Sequence, residues 1–330
     1  MPHEFNQHIP SSAFTIFCGE IKVWVNLNKL LFNKAVPFSG TAFFYAPMLS
    51  IAIQKKGRLS EESLNVLKSA GYTFPAAGGK LRALSNNGLL EVFFLRDDDI
   101  PEYVANGVCD LGIVGENVLM EKKQDVEVKR ALGFGKCRLS IASRPNEPLQ
   151  SIEDLEGKKI ATSYPVLLQK YLDEKGINAE LHFINGSVEI APSMGLSEAV
   201  FDIVSTGTTL KLNGLIERFS VLKSQAVLVG SKSLSGSKLR ELDELLFRID
   251  AVQQGRKNKY IMLNAPNNKL PQISALLPGM NSPTVTPLLQ EGWSSLHSVI
   301  SEEAFWEIIQ DLKSAGAEGI LVLPIEKMML

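Results

Sequence analysis

The sequence predicts an α/β protein in which two lobes with largely parallel sheets precede a C-terminal α+β domain. Three observations predict it. From Met48 onward, short apolar strands, glycine turns and amphipathic helices alternate, the pattern of parallel sheets covered by helices. Toward the C-terminus that rhythm gives way to strand, helix, two strands, helix and strand. Finally, 330 residues with 45% apolar and 21% charged side chains have the balance of a globular chain long enough for two or three domains.

Residues 1–47 lack this regularity. Their apolar patches, 14–17 and 43–45, follow no sustained period, so the segment reads as an extension, disordered or the product of a mis-assigned start. Met48 is then the expected natural beginning. Glu4 is the first charge, and Glu20 and Lys22 interrupt the apolar stretch, which argues against a secretory signal.

Residues 48–54 read as a strand ending at Gly57. Ser60 is the expected cap of a helix through Ser69, with Glu61 and Glu62 complementing its positive end. Residues 89–95 are strand-like, and Asp97, Asp98 and Asp99 open a helix with Pro101 in its first turn. Residues 108–114 predict a buried strand, 159–162 another, and 164–175 a helix stopped by Gly176. Farther on, strands are expected over 259–264, 284–289, 294–300 and 320–325, and helices over 269–277 and from a Ser301 cap to Gly316. Phe305, Ile308, Ile309 and Leu312 share one face of the latter. This βαββαβ order is ferredoxin-like, and the domain is expected to begin near Ser235.

Charge and cysteine content exclude several classes. Lys plus Arg number 34 against 36 Asp plus Glu, a net charge of -2, whereas proteins that grip nucleic acid need a basic surplus to displace counterions. Cys18, Cys109 and Cys137 form no CxxC pair, and His3, His8, His182 and His297 have no ligand spacing. Neither a disulfide scaffold nor a zinc ribbon is expected, and a reducing cytoplasm fits. No apolar run reaches the roughly 18 residues needed to span a bilayer.

The stretch richest in chemistry is an apolar strand, 199–204, running into Ser205, Thr206, Gly207, Thr208 and Thr209. Free backbone N–H groups and hydroxyls at the carboxyl end of a parallel strand suit a phosphate, and Gly207 lets the backbone turn in around it. Asp202 is a carboxylate inside that strand, costly to bury unpaired. It accepts either from sugar hydroxyls beside the phosphate or from a neighbouring lysine or backbone donor. Lys55 and Arg58 follow the first strand and Arg96 follows another, positions where cations meet phosphates. Asp97, Asp98 and Asp99 serve equally as a plain helix start. Thr162, Ser163 and Tyr164 lie between a strand and a helix start, a natural anion position, although the same residues also make an ordinary helix entry. Cys137 reads as a small buried hydrophobe rather than a nucleophile.

The run Asp202-Ile203-Val204-Ser205-Thr206-Gly207-Thr208-Thr209-Leu210 resembles the phosphoribosyl-diphosphate loop of the ATP phosphoribosyltransferase family. Similarity extends from Met48 to Met329 through Gln54-Lys55-Lys56-Gly57-Arg58-Leu59, Arg96-Asp97-Asp98-Asp99-Ile100-Pro101 and Asp110-Leu111-Gly112-Ile113-Val114-Gly115-Glu116-Asn117. It continues through Cys137-Arg138-Leu139-Ser140, Ala161-Thr162-Ser163-Tyr164-Pro165 and Gly186-Ser187-Val188-Glu189 to the C-terminal Leu323-Pro324-Ile325-Glu326-Lys327. Each motif alone is weak; all of them in this order are specific.

The resemblance implies two lobes like type II periplasmic-binding-protein domains, 48–140 with about 219–234 and 141–218. It also implies a ferredoxin-like (ACT-like) regulatory domain over 235–330, as in the family's long form. It further implies transfer of the phosphoribosyl group of 5-phosphoribosyl diphosphate to N1 of ATP, dependent on Mg²⁺ held largely by substrate phosphates. Asp202 would hold the ribose hydroxyls, the 205–209 loop the 5′-phosphate, and Glu116 and Glu189 a hydroxyl or a metal-bound water. Histidine would inhibit through Asn264, Ser282, Thr284 and Gly319, and the chain would form a homo-oligomer, dimer or hexamer. Two departures concern the ATP contacts: Ser193 and Phe94 stand where some members carry basic residues. A sensor on the same scaffold would not need the loop, and nucleobase phosphoribosyltransferases carry two adjacent acids where Asp202 is followed by Ile203.

Overall fold

The computed structural model describes residues 13–18, 21–26, 48–75, 81–234, 236–277 and 282–329, in two units, Met1–Tyr45 and Ala46–Leu330. In the first unit, β1 (Ala13–Cys18) and β2 (Ile21–Asn26) pair antiparallel. The rest of the expected extension lies outside the described residues.

The second unit begins with β3 (Leu49–Gln54), α1 (Arg58–Ser69), β4 (Arg82–Leu84), β5 (Leu90–Leu95), α2 (Ile100–Ala105), β6 (Leu111–Gly115), α3 (Glu116–Lys122) and β7 (Val126–Ala131). β3 runs parallel to both β5 and β6, and Ile51, Ala52 and Ile53 are fully buried, as in a sheet covered on both faces. Helix α1 starts earlier than expected. Gly57 is its N-cap, and Ser60 is buried in the first turn and makes no cap. The strand expected over 108–114 is also shifted. Val108 is 61% exposed, and Asp110 turns its carboxylate to accept from Ser50 N and Oγ, both at 2.9 Å, so pairing begins only at Leu111. Gly112 is required by packing: a Cβ there would lie 2.6 Å from Ile100 Cγ2 of α2.

The second lobe comprises β8 (Cys137–Ser143), β9 (Lys159–Thr162), α4 (Pro165–Lys175), β10 (Glu180–Phe183), β11 (Ala199–Val204), α5 (Thr208–Leu212) and β12 (Ile216–Ser224). The chain then returns as β13 (Ala226–Ser231) between β6 and β7 of the first sheet. The sheets run β4-β5-β3-β6-β13-β7 and β10-β9-β11-β8-β12. Each therefore has parallel strands with one antiparallel strand inserted among them, β13 in the first and β8 in the second, and the first also carries β4 antiparallel at its edge, the two-lobed plan the sequence implied. The chain crosses between lobes between β7 and β8 and again at Gln225, so residues 219–224, expected in the first lobe, belong to the second sheet.

Helix α6 (Ser237–Lys257) places Leu242, Leu245 and Ile249 in the core of the first lobe. The C-terminal sheet starts only after it, with β14 (Asn258–Pro266), α7 (Leu270–Leu276), β15 (Thr284–Pro287), β16 (Trp293–Ser301), α8 (Glu302–Ser314) and β17 (Glu318–Pro324). Its antiparallel order, β15-β16-β14-β17, is the ferredoxin-like one. Ser301 caps α8, its side chain accepting from Ala304 N at 3.1 Å, and Leu312 joins Ile261, Leu263, Leu296 and Ile300 in a separate core. The boundary expected near Ser235 therefore falls at the start of a helix that packs on the first lobe. No helix among the described residues is long and apolar enough to cross a membrane.

Candidate functional site

The carboxyl ends of β3, β5 and β6 lead into Lys55, Arg58, Arg96 and Glu116, and those of β9 and β11 into Tyr164 and the 205–209 loop. The two sets face one another across the lobes. Arg58 Nη2 donates to Ser205 Oγ at 2.6 Å. Burial raises the pKa of the Tyr164 hydroxyl, and the charges of Asp202 in its own lobe and of Asp97 and Asp98 in the other raise it further. That hydroxyl remains a proton donor at neutral pH.

Gly207 adopts φ +79° as the N-cap of α5, a left-handed conformation that costs a residue with a Cβ on the order of 1–2 kcal/mol. Thr206 Oγ1 and Thr208 Oγ1 lie 2.9 Å apart, Thr206 Oγ1 accepts from Thr208 N at 3.5 Å, and Gly207 as N-cap offers α5 no side chain. Its first N–H groups and the exposed hydroxyls of Thr206, Thr208 and Thr209 thus surround one turn of backbone, a geometry suited to a phosphate. Asp202, half-buried on β11, has its carboxyl pushed up to about 6 by burial; the Ile203 N–H opposes the shift and the charge of Glu189 adds to it. The charge of Glu189 is thus felt at Asp202. Asp97 is raised by burial and by Asp98. Glu116 opens α3, its N–H donating to the Gln225 carbonyl at 2.9 Å.

The expected anion position at Thr162, Ser163 and Tyr164 is only partly free. Thr162 is fully buried, and its Oγ1 accepts from Tyr164 N at 2.8 Å. Ser163 Oγ donates to the Ile184 carbonyl at 2.7 Å. These two hydroxyls organise the turn, and a carboxylate of the chain itself, Glu121, occupies the helix start. Of the three, Tyr164 alone meets the charged groups of the cleft. The two departures are equally concrete: Phe94 is buried in the first core, and Ser193 Oγ donates to the Ile190 carbonyl at 2.7 Å.

Sequence reasoning missed Arg138. Its Nε and Nη2 donate to the two carboxylate oxygens of Glu217 at 2.5 Å each, while Nη1 donates to the Ser205 carbonyl at 3.2 Å. Ser140 Oγ adds a bond to Glu217 at 2.8 Å. The first residue of the hydroxyl loop is thus held twice, at its hydroxyl by Arg58 and at its carbonyl by Arg138. The signal was present in the Cys137–Ser140 motif, but the partner Glu217 lies far along the chain on β12. Burial pushes the Cys137 thiol up, opposed by Ser224 and Arg58, and Cys109 is pushed up to about 11 chiefly by burial.

The C-terminal candidates separate into two groups. Ser282 and Thr284 line a recess of about 420 Å³ with Tyr260, Thr286 and His297, where Tyr260 Oη and His297 Nδ1 lie 2.8 Å apart. Asn264 and Gly319 adjoin each other on β14 and β17, a Cβ at Gly319 falling 3.4 Å from Asn264 Nδ2. Asn264, two strands from β15, and Gly319, three strands from it, are not among the residues that line the recess.

A family model described as ATP phosphoribosyltransferase matches residues 96–251, and one described as the HisG C-terminal domain matches 255–327. The junction falls at the end of α6, in line with the packing of that helix. ATP phosphoribosyltransferase of Cytophaga hutchinsonii is 55% identical over 282 residues, covering 86% of this chain and 99% of the relative. That of Bacteroides thetaiotaomicron is 53% identical over 283 residues, covering 86% and 100%. Among solved structures, a chain of the ATP phosphoribosyl transferase (HisG:HisZ) complex from Thermotoga maritima superposes with TM-score 0.52 at 29% identity. The match covers 61% of this chain and 98% of that one.

Proposed function

The chain belongs to the ATP phosphoribosyltransferase family, which catalyses the first step of histidine biosynthesis, and we propose that it does so in the cleft between its two lobes. The reaction joins N1 of ATP to the anomeric carbon of 5-phosphoribosyl diphosphate and releases pyrophosphate. Adenine N1 already carries a lone pair, so no strong base is needed. The demand is electrostatic: positive charge develops on the ribose and negative charge on the departing diphosphate.

The observation that carries the site assignment is the Arg58–Ser205 bond, which sets a cation of one lobe against the hydroxyl loop of the other. The 205–209 loop holds the 5′-phosphate, and Asp202 accepts from the ribose hydroxyls, where its ionised form is the better acceptor. Lys55, Arg58 and Arg96 meet the substrate phosphates, Tyr164 donates a hydrogen bond into the cleft, and Glu116 and Glu189 orient hydroxyls. Among the described residues no three His, Cys, Asp or Glu side chains converge on one point, while Asp97 and Asp202 present carboxyls raised by burial. A Mg²⁺ arriving on the substrate phosphates would take part of its coordination from them. When bound, the ion neutralises charge on the leaving diphosphate.

Histidine feedback belongs to the C-terminal domain. Ser282 and Thr284 in their recess form one part of the site and Asn264 with Gly319 another, so an interface between two copies, in a dimer or hexamer, brings both to one ligand. Inhibition then follows from histidine binding one arrangement more tightly than the other. A biosynthetic step on phosphorylated metabolites, with three scattered cysteines, fits the cytoplasm.

The test is pyrophosphate release and phosphoribosyl-ATP formation from ATP, 5-phosphoribosyl diphosphate and Mg²⁺, with and without histidine. Activity suppressed by histidine supports both halves of the reading. Activity without suppression removes the regulatory half, and no product from folded protein removes the catalytic assignment of the cleft.

A further inference from the structure

A second bridge between the lobes uses none of the groups assigned to substrate. Glu121, near the end of α3 in the first lobe, directs both carboxylate oxygens at α4 of the second. Oε1 accepts from Val166 N and Oε2 from Leu167 N, each at 2.9 Å. Helix α4 needs such a partner. Pro165, its first residue, has no N–H, and Tyr164 at the N-cap supplies no side-chain bond, so its first free donors are satisfied by a carboxylate from the other lobe. An anion at that end also meets the positive end of the helix dipole.

The other end of α3 is fastened as well. Asn117 N donates to Ser224 Oγ at 3.0 Å, and Ser224 Oγ donates back to Asn117 Oδ1 at 2.8 Å. Ser224 closes β12, immediately before the chain crosses at Gln225, whose carbonyl receives the Glu116 N–H. Helix α3 is therefore a strut, bolted to the crossing at its start and to α4 roughly 8 Å farther along.

The two bridges differ in what substrates do to them. Phosphate groups compete for both Arg58 and Ser205 and so replace that bond. They have no claim on Glu121, Val166 or Leu167. We propose that Glu121 is a positioning residue for the transfer: through the α3 strut it holds the lobes at their working separation before either substrate arrives, and fixes Tyr164, the residue preceding α4, in the cleft. The proposal rests on the cleft being the site of transfer. Without the bond, closure must be driven by substrate binding, and apparent affinity weakens by the reciprocal of the closed fraction while turnover at saturation is kept.

The test compares the full chain with Glu121→Ala and Glu121→Gln by small-angle scattering at matched oligomeric mass and by steady-state kinetics. Native protein is expected to keep one radius of gyration with and without 5-phosphoribosyl diphosphate and ATP. The alanine variant is expected to be larger alone and to return to the native value with saturating substrates. Its KM for the first substrate to bind should rise about tenfold with kcat nearly unchanged, as for a closed fraction near one-tenth. Glu121→Gln, which keeps one carbonyl acceptor, should fall between. An alanine variant with native dimensions and native KM overturns the proposal, and so does a fall in kcat at unchanged KM, which marks local damage to α4. Should the alanine variant not fold, a glutamine variant equal to native protein in both readouts overturns it. If native protein itself makes no product, the assignment of the cleft has failed, and the scattering comparison still decides the strut.

Discussion

Asp202 shows how one residue sets function against stability. Burial raises its carboxyl to about 6, above the roughly 3.9 of an unfolded chain. Between those values the native state binds more protons than the unfolded one, so the contribution to stability is greatest at low pH and is lost as pH rises through about 6. Asp202→Asn removes that penalty. At pH 7.5 it is expected to raise the melting temperature, by an amount corresponding to on the order of 1–3 kcal/mol, and to lower kcat/KM for 5-phosphoribosyl diphosphate. In native protein the same kcat/KM should fall as pH drops through about 6, because the protonated carboxyl accepts ribose hydroxyls less well; a flat profile from pH 5 to 8 would separate Asp202 from ribose binding. Arg138 acts one step farther out, through Ser205. Glu217→Gln removes the charge that fixes the guanidinium at two points and should raise KM for 5-phosphoribosyl diphosphate about tenfold, more than KM for ATP, given the strength of charge-assisted hydrogen bonds. Equal changes in the two KM values would mean that the pair supports the fold generally rather than the loop.

At the scale of elements, close approach decides as much as propensity. Strand β6 and helix α2 touch through Gly112, where a methyl group would meet Ile100 Cγ2 at 2.6 Å and Val104 Cγ2 at 3.0 Å. Gly112→Ala should therefore lower stability by about 1–3 kcal/mol through overpacking, read as a shift in the denaturation midpoint at unchanged slope. Helix α6 is the other decisive element. Leu242, Leu245 and Ile249 fill the first core, worth about 1.5–3 kcal/mol each by area, together comparable to the whole stability of a typical domain. A chain ending after Lys257 should keep cooperative unfolding of the catalytic lobes, whereas one ending before Ser237 should lose it. Circular dichroism melts of the two truncations make the comparison.

At the scale of the whole second unit, the two lobes share two chain crossings and at least two polar bridges, Arg58–Ser205 and Glu121–α4. The lobes therefore meet at defined points, which lets residues of one set the charge felt in the other, as Asp97 and Asp98 do for Tyr164. The C-terminal sheet has a core of its own and is joined through α6. Its separated candidate groups lead to a further expectation. A variant that disrupts association of the C-terminal domains should lose histidine inhibition while keeping turnover, measured by sedimentation alongside the pyrophosphate assay. Full inhibition of a species that stays monomeric would instead place the whole site within one chain.

The sequence by itself determined the alternating α/β character of the lobes, the ferredoxin-like order and the loop at 205–209. All three are written in local periodicity, turn residues and the chemistry of neighbouring side chains. It also revealed the family, because many weak motifs occur in one order. Its errors have physical causes. Ser60 looked like a cap because capping residues are common near helix starts, yet Gly57 had already turned the chain and the serine was buried. Thr162 and Ser163 looked available to an anion because their local setting is right. Only tertiary structure committed them to the turn and delivered the Glu121 carboxylate from the other lobe. The limits of α6, the pairing of Arg138 with Glu217 and the separation of Asn264 from Ser282 were likewise decided in three dimensions. Each depends on a partner distant in sequence, and local pattern carries no information about which distant residue will satisfy a buried face, a charge or a free N–H.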